Sequence, residues 1–339
     1  MILHPNVHTP WRRWSEEETL HVACAYSNPY RWRTRRELMN DFRQHMEGTK
    51  NVKLYVGELA YGDRPHEVTR ADCETDIQFR ASAALFHKEN ILVETIKRFP
   101  AGWKYGCIFD ADFTATRHDW ALETVHQLQH ASWVQPFSTY ATLSAKTYGG
   151  NKPAGEIRNS FAATYINNKH KVPGNTNSAG WAVSYDPSAK WVPVGATGGA
   201  WAFTNEGYAT TGGLLDACIL GHADWFMAFG LVAEGAPAMH DWRYHPNYIN
   251  MIKAWQAKAA LLKQNIGVTD HFMTHHFHGS YKNRGYESRD MILVEHQFDP
   301  LVDLRRNWQG IIELTGNKPK LRDAIQRYFI SRSEDDPHD

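Results

Sequence analysis

The chain has 339 residues, enough for one large domain or one domain with an elaborated subdomain. Its 37 basic residues balance 37 acidic ones, which excludes a global electrostatic pull toward nucleic acid or a membrane surface. Cys24, Cys73, Cys107 and Cys218 form no C-x-x-C pair, which excludes zinc-ribbon and thioredoxin readings, and no apolar run has membrane-spanning length. The expectation is a soluble, cytoplasmic protein with reduced thiols and no membrane partner.

In chain order, residues 1–18 read as an N-terminal arm with Pro5, Pro10 and a short acidic stretch. Thr19 to Tyr26 has the apolar content of a strand, broken by Ser27-Asn28-Pro29. Thr34 to Met46 carries Leu38, Phe42 and Met46 four apart, a helical period. Val52 to Leu59 alternates as a second strand, and a polar loop follows from Tyr61 to Asp76. Ala81 to Phe99 reads as an amphipathic helix stopped by Pro100 and Gly102. Tyr105 to Phe109 is a third strand, Asp119 to His130 a helix and Trp133 to Phe137 a fourth strand. This alternation over 19–137 predicts a parallel α/β sheet with crossover helices.

From 138 to 197 the pattern dissolves into Gly, Asn, Lys and Tyr, with a strand-like piece at Trp181 to Tyr185, which reads as an insertion with a flexible loop. The half from 198 to 330 resumes with Gly198-Gly199-Ala200-Trp201-Ala202-Phe203. Helices are expected at Asp224–Ala233, Tyr248–Gln264 and Leu321–Ile330, and residues 331–339 are expected to be a disordered tail.

The third strand ends abruptly in Asp110-Ala111-Asp112. Ligands of such sheets bind at the carboxyl ends of strands. There the first carboxylate can face a ligand while the second holds a hard cation against a phosphate; the competing reading is a solvated turn or a helix cap. The run from His271 to His278 is dense in imidazoles, and His276 and His278, two apart on an extended strand, share a face and suit Mn²⁺ or Zn²⁺. Asp224 opens an apolar helix, either as a first-turn residue favoured by the helix dipole or as a general base for an acceptor hydroxyl. Gly198 and Gly199 permit close backbone approach, and Trp201 is either a pocket floor or a buried core residue. Arg31, Arg33, Arg35 and Arg36 either neutralise a diphosphate or form a solvated helix face.

In this order the pieces resemble the metal-dependent GT-A glycosyltransferases, above all the β-1,4-galactosyltransferase type and its polypeptide N-acetylgalactosaminyltransferase relatives. Pro29-Tyr30-Arg31-Trp32-Arg33 is similar to that family's Pro-Phe-Arg-x-Arg, which contacts uridine, and Phe79-Arg80-Ala81 to the Phe-x-Arg-Ala that opens the next helix. Phe109-Asp110-Ala111-Asp112 resembles the Asp-x-Asp strand end. Gly198-Gly199-Ala200-Trp201-Ala202 resembles the donor-sugar strand, and Gly221-His222-Ala223-Asp224-Trp225 stands where the family has its acidic acceptor-binding motif. His278 matches a metal-ligating histidine, and His275 falls where the family has a Met ligand. Asp224 is the one carboxylate left of the acidic motif, and the family's disulfides have no counterpart.

The resemblance implies an α/β, Rossmann-like GT-A fold: a mixed sheet flanked by helices, with an acceptor-side insertion. It implies hexosyl transfer, with inversion, from a nucleotide diphosphate sugar such as a UDP-sugar, and Mn²⁺ or Mg²⁺ held by Asp112 and His278, with His276 beside them. Asp110, Gly199 and Trp201 would lie near the donor sugar, and Pro29, Tyr30, Arg31, Arg33 and Arg80 near the nucleotide. Asp224 would be the base. The chain is also similar to stand-alone glycosyltransferases of bacteria and their phages, for which the acceptor would be a glycan or a hydroxymethylated DNA base in the host cytoplasm. A metal-dependent hydrolase or nuclease, or a non-catalytic glycan- or DNA-binding protein on the same scaffold, are the rival readings.

Overall fold

The computed structural model describes residues 18–144, 157–172, 194–233, 243–280, 282–285 and 288–336. The arm up to residue 17, the strand-like piece Trp181 to Tyr185, most of the insertion and residues 337–339 lie outside these.

The first half contains β1 (Leu20–Ser27), α1 (Arg33–Glu47), β2 (Val52–Tyr61), β3 (Asp76–Ala81), α2 (Lys88–Ile96), β4 (Tyr105–Phe109), β5 (Phe113–Ala115), α3 (Trp120–Leu128) and β6 (Trp133–Gln135). Then follow β7 (Thr139–Thr142), β8 (Arg158–Asn159), α4 (Phe161–Asn167), β9 (Ala200–Thr204), α5 (Asn205–Thr211), α6 (Ala223–Leu231), α7 (Pro246–Ala259), β10 (Ile266–Val268) and β11 (Phe272–His275). The chain continues through α8 (Met291–Glu295), β12 (Leu304–Arg306), β13 (Ile312–Leu314) and α9 (Pro319–Ser331).

Seven strands form one sheet in the order β10-β6-β9-β4-β1-β2-β3. The sheet is mixed rather than wholly parallel, because β9 runs antiparallel to both β4 and β6, while β1 pairs parallel with β2 and β4. β1 is buried along most of its length, as expected of a strand covered on both faces. Leu20, Val22 and Cys24 point into one core with Met39, Phe42 and Met46 of α1 and Trp120 of α3. Ala23 points into the other, which holds Ile91 and Leu92 of α2 and Phe226 of α6. Each fully buried large apolar side chain here contributes roughly 1.5–3 kcal/mol relative to exposure.

Two sequence expectations change. Residues 76–81 form a strand, with Ile77, Phe79 and Ala81 buried at period two, so Phe79-Arg80-Ala81 does not open a helix. The helix placed at 81–99 is α2 alone, and it begins at Lys88. The second sheet, in the order β5-β11-β7-β8, was not anticipated and decides the site.

Candidate functional site

At the carboxyl end of β4 the chain turns at Asp110, whose carbonyl accepts from Phe113 N–H at 3.1 Å. Because β9 is antiparallel to β4, its beginning lies where β4 ends. Asp110 N–H donates to the Gly199 carbonyl at 2.8 Å, and Gly199 N–H donates back to Asp110 Oδ2 at 3.3 Å. Gly199 has φ +89°, and a Cβ on it would sit 3.1 Å from the Phe113 ring, so glycine is required twice over. A Cβ on Gly198 would lie 2.7 Å from Asp224 Oδ2 and 3.8 Å from Asp110 Oδ2. The absent side chain thus lets the two carboxylates face one point. Asp224 is steadied by Trp225 N–H, which donates to Oδ1 at 2.9 Å, and by the Thr197 hydroxyl at 3.4 Å from Oδ2.

Asp112 is brought to two imidazoles by the second sheet. β11 pairs antiparallel with β5, placing His275 opposite Phe113, with their rings stacked 4.5 Å apart. His276 N–H donates to the Asp112 carbonyl at 2.7 Å. Asp112 Oδ2 lies 2.8 Å from His278 Nε2 and 3.7 Å from His275 Nε2, and the two Nε2 atoms are 3.2 Å apart. Oδ1 of Asp112 is buried with no hydrogen-bond partner. Burial opposes charge on Asp112, but His278 and His275 outweigh it and hold the carboxyl well below its usual range. Burial takes the His278 imidazole down to about 4 despite Asp112 beside it, so it is neutral at pH 7. One carboxylate and two imidazoles are donors suited to Mn²⁺ or Zn²⁺ more than to oxygen-loving Mg²⁺, and the orphaned Oδ1 is an acceptor that such an ion satisfies. The residues fit a divalent cation.

Of the three candidate imidazoles, His275 and His278 lie with Asp112. β11 ends at His275, so the chain no longer alternates, and His275 pairs with His278 three residues on. His276 turns elsewhere, its Nε2 2.9 Å from the Thr114 hydroxyl.

Sequence reasoning missed Lys88 and Glu89, which open α2. Lys88 Nζ lies 3.1 Å from Asp110 Oδ2 and 3.5 Å from Glu89 Oε1. Burial disfavours the ammonium, yet Asp110, Glu89 and Asp224 together hold it charged. Burial raises Asp110, only partly offset by Lys88. Burial also raises Glu89 to about 7, with Lys88 pulling the other way. The polar run His87-Lys88-Glu89-Asn90 directly before Ile91-Leu92 was the available signal: all but Lys88 are buried. Glu89 therefore makes stability pH-dependent with a definite sign. Between its ordinary value of 4.5 and about 7 the folded state binds the extra proton, so stability falls as pH rises through that window. Glu89→Gln should flatten the decline, removing on the order of 3 kcal/mol of pH-linked loss. Thermal melts from pH 5 to 8 check this; parallel curves for the two proteins refute it.

The remaining expected residues divide. Pro29 and Tyr30 follow β1; the Pro29 carbonyl accepts from Arg64 at 2.5 Å, and the Tyr30 hydroxyl reaches the Gln326 carbonyl at 3.3 Å. Arg31 adopts φ 58°, and Arg31 and Arg33 are exposed. A small cavity of about 10 Å³, room for a single water, is lined by Tyr26, Asn28, Tyr61, Arg64 and Glu67. Arg80 is spent on the Gly62 and Arg64 carbonyls, at 2.9 and 2.8 Å. Trp201, expected as a sugar floor, is 4% exposed and packs near Trp133, because on β9 it faces the core opposite to its neighbours Ala200 and Ala202. Its indole N–H donates to the Thr197 carbonyl at 2.8 Å, so it supports the glycine turn from behind. His222, beside Asp224, has Nδ1 2.7 Å from Asp290 Oδ2, which also accepts from the Tyr244 hydroxyl at 2.7 Å. A groove of about 530 Å³ between α5 and α7, lined by Asp216, Asn250, Met251, Trp255 and Lys258, shares no residue with the Asp112 cluster.

No family model matches the sequence, and no curated protein does. Among solved structures the chain is similar to the catalytic domain of Drosophila β1,4-galactosyltransferase 7 in complex with xylobiose. The identity is 10% and the TM-score 0.33, over 90% of this chain and 99% of that one. No helix of the described residues is long and apolar enough to cross a membrane.

Proposed function

We propose that the chain is a metal-dependent glycosyltransferase of the GT-A type, moving a sugar from a nucleotide diphosphate sugar, a UDP-sugar, to an acceptor hydroxyl of a glycan or a hydroxymethylated DNA base, with inversion. One observation carries the reading: Asp112, His275 and His278 offer three ligand atoms within 4.8 Å of one another, at the strand-end crevice that also holds Asp110 and Asp224. That crevice, on a mixed sheet with helices on both faces, is the frame the motif order implies. Asp112, His275 and His278 would hold Mn²⁺, which as a Lewis acid supplies charge stabilisation for a departing diphosphate.

Asp224 receives the acceptor's proton on Oδ2, a role that speeds such attack by about 10²–10⁴-fold. Trp225 N–H and the Thr197 hydroxyl hold that carboxylate in one orientation. Lys88 neutralises Asp110 and keeps the crevice from accumulating three uncompensated acids. Pro29, Tyr30, Arg31 and Arg33, which follow β1, would contact the nucleoside.

The carboxylate–diimidazole donor set also suits a zinc hydrolase, which is the second reading. A thermal-shift panel separates the two, because specific ligands stabilise the folded state. Transfer predicts a rise in Tm with a UDP-sugar that requires Mn²⁺. A rise with metal alone and none from any nucleotide sugar overturns it in favour of hydrolysis.

A further inference from the structure

The acidic C-terminal segment, expected to be disordered, is placed through residue 336, and Glu334 is 1% exposed. Its carboxylate takes a two-pronged contact from Arg35 of α1: Nε to Oε2 at 2.5 Å and Nη2 to Oε1 at 2.7 Å. Arg332 reaches the same Oε1 at 2.7 Å. The third arm of Arg35 donates to the Ser27 carbonyl, at the end of β1, at 2.5 Å. Asp335 accepts the Arg33 and Thr34 N–H groups, each at 2.8 Å, and so caps α1, whose own N-cap residue Trp32 offers no side-chain acceptor. On its other side the segment lies against the loop that carries His278. Gly279 has φ +95°, and a Cβ on it would meet the Glu334 Cα at 3.0 Å. That loop is held again from α9, where the Tyr328 hydroxyl donates to the Arg284 carbonyl at 3.0 Å, and Arg284 reaches the Gly279 carbonyl at 3.4 Å.

We propose that residues 332–336 form a strap that positions the metal loop: Glu334, anchored on Arg35, backs Gly279 and holds His278 against Asp112. The inference rests on the metal centre proposed above and adds to it positioning residues far from His278 in sequence: Glu334, just past the end of α9, and Arg35, at the start of α1. The strap is a charge-paired contact, with Glu334 held by Arg35 and Arg332 outside the apolar cores. Its effect belongs on the ion's affinity, since it restrains a ligand without touching the ion.

The test is Mn²⁺ titration calorimetry on the full chain, wild type against Glu334→Gln and Asp335→Asn, with melting curves for each. Asp335 is exposed, so its variant probes the strap without stranding a buried charge. The expected result is a Kd for Mn²⁺ raised by about tenfold in Glu334→Gln and by less in Asp335→Asn, with Glu334→Asp recovering part of the loss. Affinities equal to wild type in both variants, whatever their melting temperatures, overturn the strap's role. No Mn²⁺ uptake by the wild type overturns the metal centre, and the strap's role with it.

Discussion

Asp112→Ala is expected to abolish Mn²⁺ binding and reduce nucleoside diphosphate release to background. The argument runs through both carboxylate oxygens. Oδ2 holds His278 at 2.8 Å, and Oδ1 is buried without a partner, so the side chain both orients a ligand and supplies one. Removing it leaves two imidazoles whose Nε2 atoms are 3.2 Å apart and which then settle on a shared proton instead of converging on an ion. Loss of an outer-shell partner already costs about 10–100-fold in metal affinity, and loss of a direct ligand costs more. His276→Ala is the matched contrast. Its imidazole meets Thr114 rather than the cluster, so affinity should stay near the wild-type value. Titration calorimetry reads both. If His276→Ala loses the metal while His275→Ala keeps it, the ligand pair is two residues apart after all, and the arrangement described here is wrong. His278, which burial lowers to about 4, stays neutral above that value, so protonation of this one ligand competes with uptake only as pH approaches 4.

Much of the frame was legible because it depends on local pattern. β1, β2 and β4 are apolar runs bounded by breakers, and α1 shows its period in Phe42 and Met46. The Asp110–Asp112 turn was legible because an apolar strand ending in carboxylates is local too. What escaped depends on pairing between distant segments. β3 was hidden in a polar stretch because its apolar residues are Ile77, Phe79 and Ala81 alone, with Gln78 and Arg80 between them and Asp76 at its start. The reversal of β9 leaves no mark on its own sequence; it follows from its partners β4 and β6. That His275 rather than His276 lies beside His278 follows from where β11 stops, which is set by pairing with β5 and β7. The acidic end looked unstructured by composition, yet Arg35 and Arg332 give Glu334 a reason to be buried. Together they hold its carboxyl at about 2 although burial alone would raise it. No pattern near residue 334 points to an arginine near residue 35.

Asp224→Asn should then separate chemistry from binding. The amide keeps the shape that Trp225 N–H and the Thr197 hydroxyl hold, and it sits against Gly198, where no side chain competes for the space. It keeps no basic oxygen. Turnover should fall by about 10²–10⁴-fold, the range that a positioned general base contributes, while Mn²⁺ affinity stays within a few-fold of wild type because Asp224 is not among the three converging ligands. Stability should rise or hold, since Asp224 is one of three acids gathered around the single ammonium of Lys88 and removing its charge relieves the other two. Steady-state release of nucleoside diphosphate, Mn²⁺ calorimetry and a melting curve on the same preparation read the three quantities. Wild-type turnover in Asp224→Asn would move the base elsewhere, and the carboxylate that faces the same point is Asp110. Lost metal affinity would instead mean that Asp224 belongs to the ion rather than to the acceptor.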